Sequence, residues 1–93
     1  MVKEVHAAHI LVETQAKADQ LLKDIKAGKK WDEIAKKESK CPSKAKSGDL
    51  GWFKKGMMAK EFEQAAFNGN KGEIVGPIKT QFGFHLIKII DQK

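Results

Sequence analysis

Apolar residues come in short blocks along the chain, and the spacing within each block names an element. From Val5 to Val12 the segment VHAAHILV is apolar and β-branched with no breaker, which predicts a buried strand. After Thr14, whose hydroxyl suits a helix cap, Ala18, Leu21, Leu22 and Ile25 recur at helical spacing. With Gly28 just past the end, a helix is predicted from Gln15 to Ala27. A second, shorter helix is predicted from Trp31 to Ser39. Trp31, Ile34 and Ala35 line one face of it, and the pairs Asp32/Lys36 and Glu33/Lys37 stand four apart on the other.

The stretch KCPSKAKSGD interrupts this pattern with Pro42, lysines, serines and Gly48, and reads as an exposed loop. Leu50 to Phe53 then forms a very short strand bracketed by Gly48, Gly51 and Gly56, which permit tight turns. Valine at Gly51 or Gly56 should damage the geometry if the backbone there takes positive φ. A helix starting near Ala59 buries Phe62, Ala65 and Ala66 and runs to Phe67, before Asn68, Gly69 and Asn70 stop it. EIVGPIKT and GFHLIKIID are two strands joined at Gln81–Gly83, the second apolar on both faces and therefore central. The order β-α-α-(loop or short α)-β-α-β-β predicts an α+β fold with an antiparallel sheet covered by helices. Neither a repeat nor an interdomain linker divides residues 1–93.

Composition narrows the class. Ninety-three residues with 41% hydrophobic and 32% charged side chains suit one small globular domain and exclude collagen-like and disordered chains. No apolar run approaches the roughly 18 residues of a membrane span, and MVKEVHAAH lacks a secretory apolar core, so a cytoplasmic protein is expected. The single Cys41 excludes an internal disulfide, and three histidines offer few metal ligands, so neither metal nor cofactor is expected.

The net charge is +6, and all eighteen basic residues are lysines. Without the planar fork of arginine, phospho-motif or base-specific recognition is disfavoured. Nine lysines between Lys29 and Lys55 face only Asp32, Glu33, Glu38 and Asp49. Lys29, Lys30, Lys40, Lys44 and Lys46 lack helical partners. With Lys36 and Lys37 they form a candidate surface for weak binding to an anionic membrane or nucleic acid.

Singly, the reactive residues say little. His6 and His9 lie three apart in one strand and point to opposite faces, so one is a bystander to any shared site. His85 shares its strand face with Ile87 and Ile89, where an isolated histidine is ordinarily a hydrogen-bonded core residue. Cys41 sits in a lysine-rich loop that favours the thiolate, which opens a nucleophilic or site-lining role beside the ordinary buried one. Met57, Met58, Phe62, Phe67, Phe82 and Phe84 concentrate soft and aromatic side chains whose plain reading is core.

Taken together, five segments point further: HILV at His9–Val12, CPS at Cys41–Ser43, GDLGWFKKGMM at Gly48–Met58, EFEQAAF at Glu61–Phe67, and GPIKTQFGFHLIKI from Gly76. In this order and spacing the chain resembles the parvulin family of peptidyl-prolyl cis/trans isomerases, in its small single-domain form, over about Ala7 to Ile90. The resemblance implies a four-stranded antiparallel sheet surrounded by helices, and a monomer that acts on proline-containing peptides and unfolded proteins. It also implies roles. His9 and His85 match the paired histidines of the site, which leaves His6 as the bystander, and Cys41 matches the position beside the isomerising bond. Leu50, Met58 and Phe62 match the pocket for the proline ring, and Thr80 and Phe82 match residues of the rim and of the histidine network.

Rotation about an Xaa-Pro bond crosses a barrier of roughly 20 kcal/mol set by amide resonance, and breaks no bond. Better binding of the twisted amide than of either planar form is enough, and a dry apolar pocket favours the less polar twisted state. The resemblance implies that aspartate is accepted at the position of Cys41, so Cys41 is expected to tune the carbonyl noncovalently and Cys41→Asp to retain activity. The link from Ile10 to Thr14 carries no basic cluster, unlike the longer basic loop of phosphate-directed parvulins, so no phosphate requirement is expected. A Cys-His thiol enzyme is the remaining rival, but no nucleophile turn or CxxC motif supports it.

Overall fold

A computed structural model describes residues 2–40 and 48–93 of the chain. The connection read as a loop or short helix falls largely outside the described residues, as do Cys41, Lys44 and Lys46. The elements run β1 (Glu4–Val12), α1 (Gln15–Lys26), α2 (Trp31–Glu38), β2 (Asp49–Lys54), α3 (Lys60–Asn68), β3 (Ile74–Thr80) and β4 (Gly83–Gln92). All strand pairs are antiparallel, in the order β2-β1-β4-β3. β4 is an inner strand, as its two apolar faces required, and β1 is the other.

Strand alternation sorts the core into two layers. Ala8, Ile10, Val12 and Leu86 pack with Ala18 and Leu21 of α1 and Trp31, Ile34 and Ala35 of α2. Val5, Ala7, Ile87 and Ile89 point the other way and pack with Phe53 of β2 and Phe62 and Ala66 of α3. The sheet is thus the middle layer of the molecule. No described helix is long and apolar enough to cross a membrane.

Local chemistry sets the ends. The Thr14 hydroxyl accepts from the Lys17 N–H at 3.2 Å and caps α1, a contact of about 1 kcal/mol. α2 stops at Glu38, one residue before the predicted end, because Ser39 turns extended and its hydroxyl accepts from the Leu11 N–H at 3.1 Å. β2 extends one residue beyond each predicted end. Strand alternation keeps Phe53 in the core while Trp52 and Lys54 face water, and the irregularity in the pairing with β1 falls before them, between Asp49 and Trp52. Gly51 and Gly56 do adopt positive φ, at 71° and 92°.

Candidate active site

Register brings the two site histidines together. Leu11 of β1 stands opposite His85 of β4, so His9, two residues earlier on the same face, is the diagonal neighbour of His85. Their Nδ1 atoms lie 3.0 Å apart and their rings are 18° from parallel, with centroids 5.2 Å apart. At the end of β3, Thr80 completes the row: its hydroxyl is 2.7 Å from His85 Nε2 and accepts from the Phe82 N–H at 3.2 Å. Phe62 of α3 stands nearly perpendicular to both imidazoles, at 5.6 Å from His9 and 5.4 Å from His85 between ring centres.

All four side chains are buried. Burial, and secondarily the neighbouring His85, lowers the His9 pKa to about 4, and burial lowers that of His85 as well. Both rings are therefore neutral near pH 7, each with one donor and one acceptor. His9 Nε2 is buried and has no hydrogen-bond partner among the described residues. A bare lone pair is tolerated there better than an orphaned N–H, which favours the proton on His9 Nδ1, donated to His85, and the His85 Nε2–H donated to Thr80.

Above this row opens an apolar cleft of about 360 Å³. Leu50 of β2 and Met58 of the β2–α3 connection line it together with His9, Phe62, Thr80 and His85. Phe82 contributes from the β3–β4 turn, where it is 65% exposed and so forms part of the mouth. The connection that carries Met58 is tied to α3, because the Gly56 N–H donates to the Glu63 carboxylate next to Phe62 in sequence.

The structure thus gathers His9, His85, Thr80, Leu50, Met58, Phe62 and Phe82 around one cleft, while Cys41 lies outside the described residues. Leu11, Lys40 and Ala59 also line the cleft and were missed by the sequence reading. Leu11 could have been found two positions after His9 on the same strand face. Lys40 was counted with the surface lysines, and nothing in its spacing marked it. His6 does not line the cleft: it bonds Asp49 at 2.8 Å and packs near Trp52.

Three expectations need correction. Met57 is not core but 64% exposed, its sulfur accepting from the Lys54 N–H at 3.4 Å. Lys29 is not without a partner, since its ammonium lies 3.8 Å from Asp24 of α1. The pairs Asp32/Lys36 and Glu33/Lys37 do not close among the described residues. The ion pair made by α2 is instead Glu38 with Lys17 of α1 at 2.9 Å, across the helix interface.

Known proteins match this arrangement. The PPIC-type PPIase domain model matches residues 1–93. The foldase protein PrsA 1 of Bacillus cereus is 46% identical over 91 residues, which is 97% of this chain and 32% of that protein. The chain spans about a third of the length of the curated relatives it matches. The crystal structure of the peptidylprolyl isomerase PrsA from Bacillus anthracis superposes with a TM-score of 0.96 at 40% identity, covering 99% of this chain and 43% of that one. The solution structure of NmPin, the parvuline of Nitrosopumilus maritimus, gives 0.87 at 41% identity and covers 98% of this chain and 99% of that one. Together with the cleft and its histidine pair, these matches make the chain a member of the PPIC-type peptidyl-prolyl isomerase family, the parvulins.

Proposed function

We propose that this chain catalyses cis/trans rotation about Xaa-Pro bonds in peptides and in unfolded or flexible protein segments, noncovalently and without a phosphate requirement. The observation that carries the reading is the convergence of Leu50, Met58 and Phe62, from three separate segments, on one apolar cleft beside the neutral His9–His85 pair.

The proline ring enters between Leu50, Met58 and Phe62, which hold one end of the rotor while the preceding carbonyl turns. In the twisted amide the nitrogen lone pair leaves conjugation and the carbonyl loses polarity, so the dry walls cost that state less than the planar ones. His9, His85 and Thr80 hold the base of the cleft in one hydrogen-bonded shape that needs no rearrangement during rotation. Each step is a torsion, so no proton leaves either histidine.

Unfolded clients are part of the proposal, supported by the foldase name of the PrsA relatives. So are the monomeric state and the cytoplasmic setting read from the sequence. No observation among the described residues favours the polyanion-binding or thiol-enzyme readings. The reading is tested by refolding of a protein limited by a slow proline step, with catalytic amounts of the chain added. The slow phase should accelerate in proportion to the chain added, and an unchanged phase would contradict the reading. Matched peptides with alanine or phosphoserine before proline test the phosphate clause: alanine peptides must be turned over readily.

A further inference from the structure

We propose that Lys40 forms a subsite for an acidic side chain flanking the proline of the substrate. The inference rests on the isomerase reading and adds a charge preference to it.

Lys40 is the one charged residue among the described residues that line the cleft. Its position is fixed by the backbone: the Lys40 N–H donates to the Leu11 carbonyl at 2.7 Å, one residue after the Ser39 hydroxyl takes the Leu11 N–H. The lysine therefore leaves the chain beside Leu11, which itself lines the cleft. Its side chain is exposed and makes no ion pair among the described residues.

Lys40 also borders a second, polar hollow, lined besides by Glu13, Lys17, Lys37 and Glu38, so the two hollows adjoin at this side chain. The Glu38 carboxylate is already held by Lys17 at 2.9 Å. That hydrogen bond, and then Lys37 and Lys40 through space, keep its pKa below the usual carboxylate range. Three lysines against two glutamates leave this rim with one net positive charge. The cleft itself holds no other charge, because burial keeps both histidines neutral.

A peptide whose proline ring is buried must run its neighbouring residues over the mouth of the cleft. An acidic side chain there meets an ammonium group beside apolar walls, where the attraction is stronger than in bulk water. Lysine suits one carboxylate met in several poses better than a fixed bidentate geometry, and the chain has no arginine to supply the latter.

The test uses four peptides, with glutamate or glutamine immediately before or immediately after proline, and a fifth with phosphoserine before it. At one of the two positions kcat/KM for glutamate should exceed that for glutamine by about two- to five-fold, the scale of a partly exposed ion pair. The ratio should shrink with added salt. Lys40→Gln should bring the ratio to one, whereas Lys29→Gln, which removes an equal charge beside Asp24, should preserve it. Equal rates for glutamate and glutamine at both positions would overturn the subsite, as would a preference that survives Lys40→Gln or is lost equally in Lys29→Gln. Acceleration confined to phosphoserine would overturn it in favour of a phosphate site. Failure of the isomerase reading is distinguishable, because then none of the five peptides would be accelerated.

Discussion

His9 and His85 lie 76 positions apart in sequence, yet their Nδ1 atoms meet at 3.0 Å, joining the first strand in chain order to the last. Both stand on neighbouring inner strands, so the contact is fixed by sheet register and not by a mobile loop.

Because burial depresses both histidine pKa values, protonation favours the unfolded chain, where the ordinary value near 6.5 applies. Below that pH the unfolded state binds more protons than the folded one, so stability falls as pH drops from about 6.5 to about 4. His9 alone accounts for a loss of about 3 kcal/mol across this window. Urea unfolding at pH 7.5, 6, 5 and 4.5 should show the decline. Over the same range kcat/KM per folded molecule should stay flat as far as it depends on His9, whose ring remains neutral until near pH 4.

Thr80→Val removes the hydroxyl at 2.7 Å from His85 Nε2 and leaves that buried nitrogen unpaired. Stability should fall by about 1–3 kcal/mol, and kcat/KM by about ten-fold as the row of side chains loses its fixed shape. Thr80→Ser keeps the hydroxyl and should retain most activity. Equal activity in the valine and serine variants would remove the network from the mechanism.

At Gly48 a Cβ would lie 2.0 Å from the His9 carbonyl oxygen, and φ is +80°. Its own carbonyl accepts from the His9 N–H at 2.9 Å, so the close approach holds the strand that carries the histidine. Gly51 has a similar φ of +71° but open space around it. Gly48→Ala should therefore destabilise the chain well beyond the roughly 1–2 kcal/mol of strain expected for Gly51→Ala, and should also lower activity. Chemical denaturation of both variants checks the order.

Much of this was legible in the sequence because it depends on local periodicity. VHAAHILV and GFHLIKIID could bury apolar residues on both faces only as inner strands, and the Thr14 cap and Gly28 stop bounded α1 within one residue. The family motifs supplied His9, His85, Thr80 and the apolar trio as a group, where spacing alone left each histidine ambiguous. What stayed hidden depends on pairing between distant elements. The hydrogen bonds from Ser39 and Lys40 to Leu11, which end α2 and bring Lys40 to the cleft, have no signature in either segment alone. The ion pair of Lys17 with Glu38 likewise needs α1 and α2 already packed, so the intrahelical charge spacing pointed elsewhere.

The most direct measurement is two-dimensional exchange NMR on a short Ala-Pro peptide, with substoichiometric wild-type chain or with a Met58→Ala variant. Met58 is only partly buried, so the variant should remain folded, which its own spectrum verifies. Wild type should bring cis and trans signals into rapid exchange, and Met58→Ala should slow that exchange by about ten-fold or more. Absence of catalysed exchange with folded wild-type chain, or equal catalysis by the variant, would contradict rotation in the apolar cleft.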